Sequence, residues 1–457
     1  MSVAQKIESG ATGRSGASVQ ALKTKAETAL VEAFTAAEAS LPGGAWLRAL
    51  RKDAIGAFTG RGLPHRRVEE WKYTDVRAFM REAFPLTPGV VPDAKTASAL
   101  IEAALPGADL SGTHALFFDG TAVSEAGISA ISEIESAFLA RIIDHPPAWL
   151  QEEVAEVSGH VNEATQALNT ALFTDGAVLD IAEGREIEAP IALIFASGRD
   201  AAGSVATRNV IRVAKNAKVT IVEVHPAPDA PRQVNTLTQL IVGDGAEVVH
   251  VKLVASREGS IHLGRTVARL GAEANYRPFQ MVLGDGVVRN DLAVTFRGEH
   301  TTFDLGSALL GNAGAHHDIT MVVDHAVPNC TSRELVKTVL RDRARAVFQG
   351  KVIVRPDAQK TDGKQMAQAL MLSPDTEFNS KPELEIYADD VVCGHGSTSA
   401  EIDPELVFYL QSRGIPLAEA QAMLVESFVG EAIDKAEPEA VQDALRTLAR
   451  GWLQSQA

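Results

Sequence analysis

Leu240-Ile241-Val242-Gly243-Asp244-Gly245-Ala246-Glu247-Val248-Val249-His250-Val251 decides the fold. A short apolar run meets a glycine–aspartate corner, a small residue follows, and a second β-branched run begins. The same punctuation recurs outward on both sides. Val178-Leu179-Asp180-Ile181, Ile191-Ala192-Leu193-Ile194, Val210-Ile211-Arg212-Val213 and Val219-Thr220-Ile221-Val222 are further runs, and no long helical pattern separates them. Units of the strand–helix–strand kind are therefore excluded over this region. Small-residue corners precede strands at Asn216-Ala217, Gly245-Ala246, Gly271-Ala272, Gly314-Ala315 and Arg345-Ala346. Their alanines step by 29 and 26 residues from 217 to 272, and by 31 from 315 to 346. Near-regular steps of this size are what stacked coils produce, each coil covering its neighbour's strand edges. The reading is a mainly β fold with a β-helix or β-solenoid core of many strands over 171–399. A β-sandwich is the rival, kept open by the hairpin-like Gly243-Asp244-Gly245 and Gly284-Asp285-Gly286.

Helical regions flank this core. Over 1–170 a polar lead (1–18) precedes alanine-rich sequence with Leu22, Ala26, Leu30 and Ala33 at helical spacing. Leu41-Pro42-Gly43-Gly44 breaks it before a second helix, Trp46 to Ala57, and Trp149 to Leu172 is helical again. Leu116-Phe117-Phe118-Asp119-Gly120 reads as a strand and turn. Over 400–457, Asp403 is a good N-cap, Pro404 suits the first turn and Gly414 suits the stop. Ala420, Leu424 and Phe428 form one stripe; Val441, Leu445, Leu448 and Trp452 form another.

The chain has 457 residues, a net charge of −16 and two cysteines. That acidity argues against nucleic acid or an anionic membrane as the main partner. Two thiols build neither a disulfide framework nor a four-thiolate site. The polar lead and the lack of a long apolar run point to a cytoplasmic protein. There is no phosphate loop, H-E-x-x-H pair or G-x-S-x-G elbow, so neither a nucleotide site nor an enzyme centre is visible.

Histidines and cysteines remain. His316-His317-Asp318 and Asp324-His325 surround Cys330 and read as residues of solvated corners. Glu385 to Gly396 reads as one strand, with Leu384, Ile386, Ala388 and Val392 inward. Strand alternation then puts Cys393 and His395 together on the outer face. Thiolate and imidazole are suitable ligands for iron or zinc, but two make half a site, so another chain would complete it. A buried small cysteine beside a hydrogen-bonded histidine is the bland alternative.

Arg66-Arg67-Val68-Glu69-Glu70-Trp71-Lys72-Tyr73-Thr74-Asp75 resembles the N-terminal signature of the SufD family of the SUF iron–sulfur cluster assembly machinery. Ala167-Leu168-Asn169-Thr170-Ala171-Leu172-Phe173-Thr174-Asp175-Gly176 resembles the entry to that family's core. Lys381 to Thr398, with Phe408-Tyr409-Leu410-Gln411-Ser412-Arg413-Gly414-Ile415, resembles its C-terminal signature. The resemblance implies a right-handed parallel β-helix core between helical ends, and a non-catalytic scaffold that pairs with a SufB-like paralogue, binds a SufC-like ATPase and forms a homodimer when isolated. It implies a transient iron–sulfur cluster shared with the partner at His395, with Cys393 as a weaker ligand, and no nucleotide site of its own. The Ala420–Leu424–Phe428 stripe is the expected ATPase-binding face. A SufB-like identity is the alternative; it would place a cysteine near Gln368-Ala369-Leu370-Met371-Leu372, where this chain has none. A β-helical carbohydrate-active enzyme is the rival of another class.

Overall fold

In the computed structural model, residues 23–454 are described, apart from 88, 90, 111, 160–162 and 199–200; the expected polar lead lies outside them. The N-terminal region holds α1 (Lys25–Ala37), α2 (Ala45–Arg61), α3 (Val76–Phe79), α4 (Ala94–Ala104), α5 (Leu139–Ile142), α6 (Ala148–Gly159) and α7 (Ala164–Leu172). It also contributes β1 (His114–Phe118), β2 (Thr121–Ala126) and β3 (Ile134–Phe138). Next come β4 (Ala177–Ile181), β5 (Ile191–Ala196), β6 (Gly203–Val213), β7 (Lys218–His225) and β8 (Arg232–Val242). They continue as β9 (Glu247–Ser256), β10 (Ile261–Leu270), β11 (Asn275–Gly284), β12 (Val287–Phe296) and β13 (Thr302–Gly311). The last six are β14 (His316–His325), β15 (Thr331–Leu340), β16 (Arg345–Val354), β17 (Asp362–Met371), β18 (Glu377–Ile386) and β19 (Val392–Ala400). The chain closes with α8 (Pro404–Ser412), α9 (Leu417–Ile433) and α10 (Glu439–Gln454).

From β4 onward, odd strands stack in parallel in one sheet and even strands in the other, giving a β-solenoid of about eight turns. The parallel β-helix is therefore the fold, and the sandwich is not. The boundary at residue 170 is not clean, because β1 pairs in parallel with β5 and β3 pairs with β4. The N-terminal region thus builds the first rung of both sheets.

The corners explain the sequence punctuation. Where the chain passes from the nine-stranded to the ten-stranded sheet, one residue adopts positive φ: Asn216, Gly245, Glu273, His300, Asn329 and Lys360, about 27–31 residues apart. Each is followed by a buried small side chain: Ala217, Ala246, Ala274, Thr301, Cys330 and Thr361. A larger one would collide with the coils above and below at the turn. The ladder runs unbroken through these corners; the Asp362 amide, for example, donates to the Cys330 carbonyl at 3.0 Å. The sequence reading merged two columns of corners. Ala315 belongs to the opposite column, where the next coil's small corner residue is Ala344; Ala346, expected at that corner, is the second residue of β16. In the first column the inward alanine is Ala274, not Ala272, which lies before the positive-φ residue.

Three apolar cores share the two sheets. The lumen core runs from Ala115 to Ala388 through Val219, Leu240, Phe296, Phe348 and Val352. The outer face of the ten-stranded sheet packs under α4, α9 and α10 through Val222, Phe279, Val429 and Leu445. The outer face of the nine-stranded sheet packs under α1, α2, α6 and α7 through Val210, Leu263, Phe58 and Leu168. Strands covered on both faces read as continuous apolar runs. Toward the C-terminal end the cover stops: every residue of β18 and β19 is half-buried or exposed.

Candidate functional site

Both sheets end at this uncovered coil. β18 pairs only with β16 and β19 only with β17, so each leaves one edge without a neighbour among the described residues. The Val392 amide donates backward to the Thr361 carbonyl at 2.9 Å. Amides in a parallel ladder alternate sides, so those of Cys393, His395, Ser397 and Ser399 face the open edge.

The expected single strand from Glu385 to Gly396 is two strands in different sheets, joined by a turn over 387–391. Parity does not carry across a corner, so the expected outward placement of Cys393 and His395 is wrong. Cys393 pairs with Gly363 and His395 with Gln365, and Cys393 packs against the lumen core. His395 shares its face. Both line the lumen wall, and His395 is exposed because no coil follows. Val392, expected inward, is 61% exposed on the other face. Leu384 and Ala388 do meet the lumen core.

Two files of inward residues lead back from this mouth. One is Ser332–Gly363–Cys393 and the other Glu334–Gln365–His395, each on β15, β17 and β19. Glu334 and Gln365 are 2% exposed and Ser332 fully buried. Both carboxylate oxygens of Glu334, both amide atoms of Gln365 and the Ser332 hydroxyl lack a hydrogen-bond partner. Burial pushes Glu334 up to about 8 despite the nearby Ser332 and Arg333. Burial also raises the Cys393 thiol, with the Asp362 and Glu334 charges adding to it, so a metal must displace a proton there. Gly350 faces Gln365 across the lumen: a Cβ there would lie 2.6 Å from Gln365 Oε1. Sequence reading missed Glu334 and Gln365; the two-residue spacing of Ser332, Glu334 and Val336 along β15, and of Gly363, Gln365 and Ala367 along β17, was the available signal. Among the described residues no three His, Cys, Asp or Glu side chains are placed together to hold a metal ion.

The remaining candidates have other roles. His316, His317, Asp318 and His325 lie in β14, buried, and not in solvated corners. His317 and His325 line the lumen, where burial lowers them to about 3 and about 4, so both are neutral at physiological pH. His316 and Asp318 face outward and receive the N-terminal signature. Thr74 contacts Asp318 and lies 2.8 Å from His316 Nε2, and Trp71 covers the Arg289 guanidinium at 3.8 Å. Arg289 in turn donates to Asp291 at 2.8 Å and Asp318 at 2.9 Å. The signature is a strap that fastens the helices to the nine-stranded sheet. Cys330 is a corner residue of the lumen core.

The α9 stripe does not present itself to a partner. Ala420 is fully buried, Leu424 is half-buried, and half-buried Phe428 packs on its own β-helix with Lys337 Nζ 4.5 Å from its ring. Exposed apolar side chains lie instead on α8, which buries no residue: Leu406 at 49%, Phe408 at 73% and Tyr409 at 54%.

The SufBD core domain of the SUF iron–sulfur cluster assembly system matches residues 195–428, and the SufBD N-terminal region matches 24–193. The chain belongs to the SufBD family. Within that family it is 30% identical to the iron–sulfur cluster assembly protein SufD of Escherichia coli, over 81% of this chain and 84% of that one. It is 32% identical to a SufBD-family iron–sulfur cluster assembly protein of Synechocystis, over 87% and 89%. SufD of Bacillus subtilis is 25% identical over 61% and 64%. As a SufBD-family member the chain is an iron–sulfur cluster assembly protein of the SufD-like kind, and the carbohydrate-active reading falls. No helix among the described residues is long and apolar enough to cross a membrane.

Proposed function

We propose that this chain is a non-catalytic scaffold subunit that pairs with a SufB-like paralogue through the open edges of β18 and β19. The unpaired C-terminal edges, with a thiol and an imidazole at the lumen mouth between them, carry the reading. Outward amides and carbonyls are a template for strand addition. A paralogue docked there supplies the missing ligands, and the nascent cluster, as cargo, is held by Cys393 and His395 together with partner side chains. Mixed, incomplete ligation suits a cluster that must leave. A second copy of the chain can occupy the same edge when the paralogue is absent. A SufC-like ATPase docks on α8, where Phe408, Tyr409 and Leu406 are exposed on a chain without a phosphate loop of its own.

The test is anaerobic co-expression with a SufB-like paralogue and a SufC-like ATPase, followed by mass and iron analysis. His395→Ala retains the complex and loses most of its cluster. Phe408→Ala with Tyr409→Ala loses the ATPase but keeps the paralogue. Full cluster content in a well-folded His395→Ala complex would refute the assembly site.

A further inference from the structure

We propose that Glu334 is an internal proton donor for the lumen mouth, reaching Cys393 through Ser332, Gln365 and the gap left by Gly363. The inference rests on the cluster-holding reading above and adds a residue and a path to it.

The geometry is a file of polar groups leading to the C-terminal mouth of the lumen. Glu334 sits two strands from the open edge, roughly 10 Å along the stack at the usual strand spacing. That is too far for direct transfer, and the intervening rung is suited to bridging it. Gln365 lies between Glu334 and His395, with both amide atoms unpartnered. Gly363 lies between Ser332 and Cys393. A Cβ built on it would sit 3.4 Å from Ser332 Oγ and 3.6 Å from Cys393 Sγ, so the glycine leaves a space the size of a methyl group between hydroxyl and thiol. Unpartnered donors and acceptors around such a space are what an ordered water bridges. Glycine at 350 keeps the opposite wall clear for the Gln365 side chain.

The surroundings leave the carboxyl as a store and not as an ion pair. The charged groups near Glu334 are Arg333 on its own strand, Asp304 on β13 and Lys435 beyond α9, and Asp304 and Lys435 contact each other. Cys393 on β19 also titrates nearby. Toward the lumen, β17 presents neutral Gln365, and β16 presents Phe348 and Gly350. β14 presents His317 and His325, both neutral at physiological pH. Burial keeps Glu334 protonated at neutral pH.

When a cluster departs, the iron–sulfur bond to Cys393 breaks and leaves a thiolate. The Glu334 carboxyl gives up its proton through the bridging water, the thiolate becomes a thiol, and Glu334 becomes a carboxylate. Solvent at the open mouth reprotonates Glu334. One proton moves inward for each one delivered, and nothing is oxidised or reduced.

The experiment uses the anaerobically purified complex. Infrared spectra should show a buried carboxylic acid that titrates near pH 8 and is absent in Glu334→Gln. Cluster loading should be unchanged in Glu334→Gln, but release to an apo-ferredoxin acceptor should slow about tenfold. Wild-type release should fall as pH rises through 8, and the variant should be flat there. Gly363→Ala, whose methyl fits at ordinary contact distance, should slow release likewise without loss of folding. In a Cys393→Ala background Glu334→Gln should have no further effect. Wild-type release rate and pH profile in Glu334→Gln would overturn the donor, while the scaffold reading stands on wild-type loading. Complexes that never load a cluster would overturn both.

Discussion

Replacing Arg289 should break the strap. Arg289 is fully buried, and its guanidinium is enclosed by Trp71 on one side and by Asp291 and Asp318 on the other. Burial alone would lower its pKa, but the two carboxylates outweigh that and raise it. Arg289→Met keeps most of the volume and removes the charge. Asp318, fully buried, is left with the Thr74 and Thr320 hydroxyls and no cation. Breaking one side of a buried pair costs about 3–5 kcal/mol, and the lost contact with the Trp71 face adds about 0.5–2 kcal/mol. Against a typical stability of about 5–15 kcal/mol, that is a large fraction.

The loss should be local in its first effect. Through the strap Gln349 holds the Glu70 carbonyl and Lys381 holds Glu69, while Arg77 ties the same segment to Glu27 of α1 at 2.9 Å. Urea unfolding of Arg289→Met should show either a lowered midpoint or an early step in which α1 to α3 detach. Limited proteolysis should cut first over 60–80. Trp71→Ala should cost about 3–5 kcal/mol, and the double variant should cost less than the sum, because the two residues share one contact. An Arg289→Met protein within 1 kcal/mol of wild type, with no new cleavage, would refute this reasoning.

Three further outcomes follow from the lumen and its edge. Glu334 binds a proton in the folded chain between its ordinary value of 4.5 and about 8, where the unfolded chain has released it. Wild-type stability should therefore fall over that window as pH rises, by on the order of 4–5 kcal/mol, and chemical denaturation of Glu334→Gln should lack this slope. Ser397→Pro removes an amide that faces the open edge and none that faces β17, so mass analysis should find the chain folded but unpaired with the paralogue. Cys330→Thr, which repeats the residue of the neighbouring corners Thr301 and Thr361, should change stability by less than about 1.5 kcal/mol and leave iron content unchanged.

The solenoid was legible because its corners are chemically forced. A positive-φ residue followed by a small inward one must recur once per coil, and Asn216-Ala217 and Gly245-Ala246 show it plainly. The repeat blurred where Glu273, His300 and Lys360 adopt the same conformation without the usual residue types. The terminal helices were legible through Asp403, whose side chain accepts from the Glu405 amide, and Gly414 at φ 85°. The site was legible in identity and not in orientation. Residues 387–391 look extended enough to continue a strand, but they turn a corner and reset the alternation on which the placement of Cys393 and His395 depended. The α9 stripe was a sound amphipathic pattern whose partner is the chain's own β-sheet.

The lumen holds two buried glutamates in opposite states, and their contrast argues for where function lies. Glu223 is fully buried, yet Lys252 Nζ is at 2.8 Å, His225 at 2.7 Å, His250 at 3.4 Å and the Thr238 hydroxyl at 3.1 Å. Burial alone would raise its pKa, but these partners reverse the shift and hold it well below the ordinary carboxylate range. It is a completed ionic knot in the middle of the coil stack. Glu334, nearer the open end, has no cation against its carboxyl and only the Ser332 hydroxyl beside it, and it stays neutral at the cost of pH-dependent stability. A fold able to satisfy one buried carboxyl so fully has no structural reason to leave a second one bare. Leucine at 334 would extend the apolar file set by Leu305 on the preceding coil. That a carboxyl stands there instead, two rungs from the thiol and imidazole at the mouth, is the observation that ties the interior of the β-helix to the chemistry at its edge.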